Sequence, residues 1–114
     1  MPNQWNVDFY EKEIEKFLDS LSEKERAKVL RNISLLEKFG LTLREPYVKS
    51  LKIEKLRELR TIFSSKIFRL LFFHYKEKTL VILHGFVKKT MKIPARETKT
   101  ALQRMRKYKN QKGG

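Results

Sequence analysis

The chain reads as a small α+β domain. The expected order is β-α-α-β-β-β-α: a twisted, mostly antiparallel sheet, two N-terminal helices packed on it and a basic helix at the C-terminus. Three observations predict this. Two apolar runs, Ile67 to Tyr75 and Thr79 to Val87, flank the charged Lys76-Glu77-Lys78. Each is strand-length and too short for a typical helix, so together they read as a hairpin. Two stretches with helical spacing precede the hairpin and a third follows it. Finally, 114 residues with 40% hydrophobic content suffice for one modest core, so residues 1–114 form one domain.

Taken in order, Trp5 to Phe9 alternates Trp5, Val7 and Phe9 and predicts a short first strand. Tyr10 to Ser20 keeps Ile14, Phe17, Leu18 and Leu21 at helical spacing. Ser22 with Glu25 three residues later is a capping box, opening a second helix from Glu23 to about Phe39. Gly40 suits the residue just past its end. Leu41 to Tyr47 is a loop, Val48 to Leu51 is extended and Lys52 to Lys55 is a turn. Leu56 to Phe63 predicts a strand antiparallel to the Ile67 strand. Pro94 suits the first turn of a helix from Ala95 to about Lys109, striped by Thr98, Ala101, Leu102, Met105 and Tyr108.

Charge narrows the function. The net charge is +14. Residues 1–40 hold 7 Lys/Arg and 8 Asp/Glu, leaving 20 and 5 for residues 41–114. The whole excess lies in the later part, which points to a polyanion, nucleic acid before an acidic membrane. No cysteine is present, which removes disulfides and thiolate metal sites and fits a cytoplasmic setting. The N-terminus has no signal-peptide pattern, and no run is long enough to span a membrane.

Cations also interrupt the hairpin. If Tyr75 pairs with Thr79, Arg69 falls opposite Gly85; a two-residue turn moves that by one. In the first register Arg69 shares a face with Gly85 and Lys89, a cationic hollow suited to phosphate. Both His74 and His84 then fall on the opposite face. There His84 reads as a satisfied, half-buried histidine and His74 as a cap at a strand end. Arg57 and Arg60 lie on opposite faces, so at most one can join Arg69. The bland alternative is that Arg69 pairs with a carboxylate.

The series EPYVKSL, LRELR, SSKIFRLLF, LVILHGFVKKT, then IP-x-x-E and a basic helix, resembles the RelE/HigB superfamily of type II toxins. Its phage-derived Gp49-like branch fits best, with the run Phe86 to Glu97 the most specific part. The resemblance implies a RelE-like fold and a ribosome-dependent mRNA endonuclease that inhibits translation. Such an enzyme uses no metal or other cofactor; the substrate's own 2′-hydroxyl attacks the adjacent phosphate. It implies a cognate antitoxin, helix-turn-helix and HigA-like, with operator DNA reached only through that partner. The ribosome and mRNA are the other expected partners, and no membrane is.

Carried over residue by residue, Arg60, Arg69, Lys88 and Lys89 are the expected catalytic cations. The expected RNA contacts are Lys52, Lys55, Lys66, Lys92, Arg96, Arg104 and Tyr108. Leu56 and Glu58 stand where the best-studied RelE-type enzyme has two lysines, and Ala95 where it has a tyrosine. Lys52, Lys55 or Lys66 are near enough in sequence to replace the lysines, and Tyr108 the tyrosine. Arg69→Ala is expected to abolish toxicity and leave the protein folded. Two rival readings are a ParE-like gyrase poison, which generally lacks the clustered cations, and a non-catalytic RNA-binding module.

Overall fold

A computed structural model describes residues 4–88, 90 and 92–113. Among them are five strands: β1 (Asn6–Phe9), β2 (Val48–Ser50), β3 (Arg57–Phe63), β4 (Lys66–Lys76) and β5 (Thr79–Lys88). Three α-helices accompany them: α1 (Glu13–Asp19), α2 (Glu23–Phe39) and α3 (Ala95–Gln111). The strands form one sheet in the order β1-β5-β4-β3-β2. All neighbours are antiparallel except β1 and β5. The α+β fold is therefore as expected, and the stretch read only as extended is the short edge strand β2.

The local signals act as their chemistry dictates. Ser22 and Glu25 form the reciprocal capping box at the start of α2. Lys66 also reaches Glu25 at 3.1 Å. The Ser22 backbone N–H, donating to the Glu25 carboxylate, and then the Lys66 ammonium hold that carboxyl below its usual range. Gly40 ends α2 at φ +55°, and a Cβ there would lie 2.2 Å from the Trp5 indole. Glycine is thus required by both backbone and neighbour.

Helices cover both faces. α1 and α2 lie on the face of Leu70, Thr61 and Gly85: the Asn32 amide donates to Thr61 Oγ1 at 2.9 Å, and Phe17 packs over Gly85. α3 lies on the other face, where Tyr108 packs on Phe73 and Tyr75. Leu36, Leu59, Leu70, Leu80, Ile82 and Leu83 are among the fully buried core residues. No helix among the described residues is long and apolar enough to cross a membrane.

The hairpin register corrects one expectation. The turn is Glu77-Lys78, so Lys76 pairs with Thr79, Arg69 with Phe86 and Leu70 with Gly85. Between them the ladder shifts twice. Tyr75 is the extra residue on β4, and Leu83 the extra residue on β5. The bulge at Leu83 re-aims the rest of β5. His84 pairs with Leu71 and so shares the face of Arg69, contrary to the even alternation assumed from sequence. His74, opposite Leu80, does lie on the far face, and its Nε2 donates to the Glu77 carbonyl at 2.6 Å, capping the strand end.

Candidate functional site

The register brings Arg60 opposite Arg69, and Glu58 opposite Leu71, on the α3 side of the sheet. Glu58 is two residues before Arg60, so period-two alternation puts both on one face. Lys49 of β2 pairs with Glu58 and joins them. Lys88 pairs with Ile67 and stands half-buried at the far end of that face.

Arg69 is 1% exposed, as is Glu58. Arg69 Nη1 donates to Glu58 Oε2, and Nη2 donates to the Thr90 carbonyl. The second oxygen of Glu58 lies 3.7 Å from Arg60 Nε. One buried carboxylate is thereby shared by two guanidiniums. Arg69 therefore pairs with an acid in the interior instead of standing in an open hollow beside Gly85. Gly85 faces the other way, and its missing side chain makes room for Phe17: a Cβ would come within 2.6 Å of that ring. Lys89, expected to share an anion with Arg69, lies outside the described residues.

Arg60 leads out of this pair toward a cleft of about 430 Å³. Its polar wall is Lys49, Ser50, Glu58, Arg60 and Lys92. Leu51, Ile53, Ile93 and Ala95 supply an apolar wall, with Thr98 beside them. The cleft runs between β2–β3 and the first turn of α3. The loop from Leu51 to Leu56 forms its rim, closed by Leu51 N–H to Leu56 O at 3.0 Å. Glu54 on that loop meets Arg106 of α3 at 3.3 Å. A larger hollow of about 540 Å³ surrounds Val48 and Arg57 on the opposite face, so the two arginines of L-R-E-L-R do open to different sides.

The remaining expected residues divide. Arg60 and Lys92 line the cleft. Lys52 and Lys55 are exposed on its rim loop but do not line it. Lys66 is occupied with Glu25 near α2, on the other face. The Arg96 side chain is 74% exposed, with Nε 3.9 Å from Glu97. Arg104 is turned inward: Nη1 donates to the Leu83 carbonyl at 2.9 Å, and its guanidinium covers the Tyr10 ring. Tyr108 is buried and donates to Asp8 Oδ2 at 3.1 Å. Burial first, and the Asp8 carboxylate second, push its phenol up to about 12. It does not line the cleft.

His84 forms a second polar group under α3. Its Nε2 lies 2.6 Å from Glu97 Oε1, its Nδ1 3.4 Å from Arg104 Nη1, and its ring stacks on Phe86. A guanidinium only donates, so Nδ1 accepts and the proton sits on Nε2, shared with Glu97. Among the described residues no group of three His, Asp or Glu side chains could hold a metal ion.

A family model for phage derived protein Gp49-like (DUF891) matches residues 16–106. The chain belongs to this family. The Gp49-like likeness of its motifs to RelE/HigB toxins is matched at the level of fold. In the crystal structure of an archaeal RelE–RelB complex from Pyrococcus horikoshii OT3, one chain superimposes with a TM-score of 0.57. The alignment covers 78% of this chain and 99% of that one, at 21% identity. No curated protein matches the chain. The Gp49-like domain thus has a RelE-like fold. The residues that sequence reasoning missed are Lys49, Glu58 and Ile53. The first two are legible from strand parity once β2 is paired with β3.

Proposed function

We propose that this Gp49-like toxin is an endoribonuclease that cuts mRNA on the ribosome. The observation that carries it is the cleft in which Arg60, braced by a buried acid, stands between Lys49 and Lys92. Cleavage through the substrate 2′-hydroxyl needs three things: loss of that proton, stabilisation of charge on the phosphoryl oxygens and protonation of the leaving 5′ oxygen. Arg60 suits the second, being permanently charged and able to hold two phosphate oxygens at once. Lys49 and Lys92 suit the flanking phosphates. Arg69 acts from behind: it satisfies one side of Glu58 and leaves the other toward Arg60. Lys88, at the end of the same face, adds charge near the segment that carries Lys92.

The cognate antitoxin and the ribosome are the partners this reading requires. The exposed cations of α3, including Arg96, Lys99 and Lys107, suit ribosomal RNA backbone. The test is inducible expression followed by mapping of mRNA ends, with Arg60→Gln beside the wild type. Loss of one phosphoryl donor predicts cutting slower by roughly 10²–10³. A block of replication with mRNA left intact would overturn the nuclease reading in favour of a gyrase poison. Ribosome binding without cuts would favour a passive RNA-binding module.

A further inference from the structure

The cleft has two chemically different walls, and only one of them suits phosphate. Opposite the cations, Ile53 and Ile93 face the same space. Ile53 is 39% exposed, an unusual place for a large aliphatic side chain on a turn of otherwise charged residues. The backbone holding it is strained. Lys52, Glu54 and Lys55 have φ of 60°, 45° and 68°, in the left-handed region that non-glycine residues avoid. Contacts on both sides sustain it: Leu56 N–H donates to the Ile53 carbonyl at 2.9 Å, Leu56 is fully buried, and Glu54 is tied to Arg106. Strained backbone persists where surrounding structure imposes it. Here the outcome is that Ile53 stands at the cleft mouth.

We infer that Ile53 and Ile93 are the jaws of an apolar slot that takes one nucleobase of the RNA, beside the phosphate held by Arg60, Lys49 and Lys92. The inference rests on the phosphate-binding reading of the same cleft. A volume of about 430 Å³ is in the range of small-ligand sites and accommodates a single nucleotide. Among the described residues no aromatic ring lines the cleft, so the base is gripped by aliphatic burial and not by stacking. The nearby hydroxyls are each already partly engaged. Thr98 donates to the Ala95 carbonyl at 2.9 Å, and Ser50 Oγ accepts from Lys52 N–H at 3.3 Å. The grip of the slot on a base is therefore mainly apolar, with only weak means of choosing among the four.

The test compares two probes of equal charge on the full chain by calorimetric titration: adenosine 3′,5′-bisphosphate and the base-free ribose 3′,5′-bisphosphate. The wild type should prefer the adenosine form by roughly fivefold to tenfold, as burial of part of a base at one apolar wall implies. Ile53→Ala should level the two, while Ile62→Ala, which removes an exposed isoleucine away from the cleft, should leave the preference intact. Uridine and adenosine forms should agree within about threefold, since the grip on the base is mainly apolar. Equal wild-type affinity for both probes overturns the slot. If Arg60→Gln still weakens both equally in that case, the phosphate reading stands without it. If Arg60→Gln changes neither, the slot and the phosphate site fall together.

Discussion

The α3 side of the sheet has an open half and a covered half, built from similar groups. In the open half one carboxylate, Glu58, serves Arg69 and Arg60. In the covered half His84 sits between Glu97 and Arg104. Each places a cation, an acid and a strand residue in contact. What differs is the roof. Over His84 lies α3 itself, and Arg104 spends its guanidinium on the Leu83 carbonyl. Over Arg60 there is a cleft with two further lysines. The same chemistry thus fastens a helix in one place and borders a cleft in the other, although the Arg60 side chain is only 9% exposed against 16% for His84. The neighbouring cleft, not residue type or exposure, separates a structural cluster from a candidate site.

The largest expected effect breaks the open half from below. Glu58→Ala or Arg69→Ala strands a buried charge and should cost about 3–5 kcal/mol by chemical denaturation. Replacing both together, as Glu58→Leu with Arg69→Met, should cost less than either alone, because no charge is left uncompensated. Arg69→Ala is accordingly a stability variant, not the clean loss-of-toxicity variant expected from sequence. Wild-type stability for the single variant would show that the pair is not sealed. In the covered half, Glu97→Ala, which removes the acceptor for His84 Nε2–H, should cost about 1–3 kcal/mol and speed hydrogen exchange along α3, with the strands unaffected. Exchange rising in β3 instead would mean the two halves are one unit.

Two gentler tests sharpen the contrast. Lys49→Ala with Lys92→Ala should lower the slope of log affinity against log salt by about 0.7 per charge for single-stranded RNA. The fold should not change, since both side chains are exposed. The smallest effect concerns Tyr108. Its phenol is held protonated to about 12, against 10 ordinarily. Below pH 10 folded and unfolded chains both keep the proton. Between 10 and 12 the unfolded chain releases it and the folded chain does not, so stability falls as pH rises through that window. Phenolate absorbance should show one of the four tyrosines ionising late, and Asp8→Asn should bring it earlier.

Much of this is legible in the chain. Periodicity and length give both long helices and the hairpin, and the Ser22–Glu25 box marks the start of α2 to the residue. The motifs place Arg60 and Lys92 at a site, and both reach the cleft. Three things escape for physical reasons. A bulge leaves no mark in a run such as Leu80 to Leu83, where every residue is apolar, so even alternation inverts the face of His84. Gly85 beside a cation looks like room for a ligand, but the room is filled from another helix by Phe17. A carboxylate partner for Arg69 is one of the two sequence readings, but its identity escapes, because Glu58 reads in sequence only as a gap in the lysine pattern.

The parallel pairing of β1 with β5 bears on the protein's own synthesis. The first strand made has no ladder partner until β5, the last of the five, has left the exit tunnel. The cleft needs still later residues, since Ile93, Ala95 and Thr98 form its far wall. A nascent chain therefore carries Arg60 well before the residues that complete the cleft around it have been made.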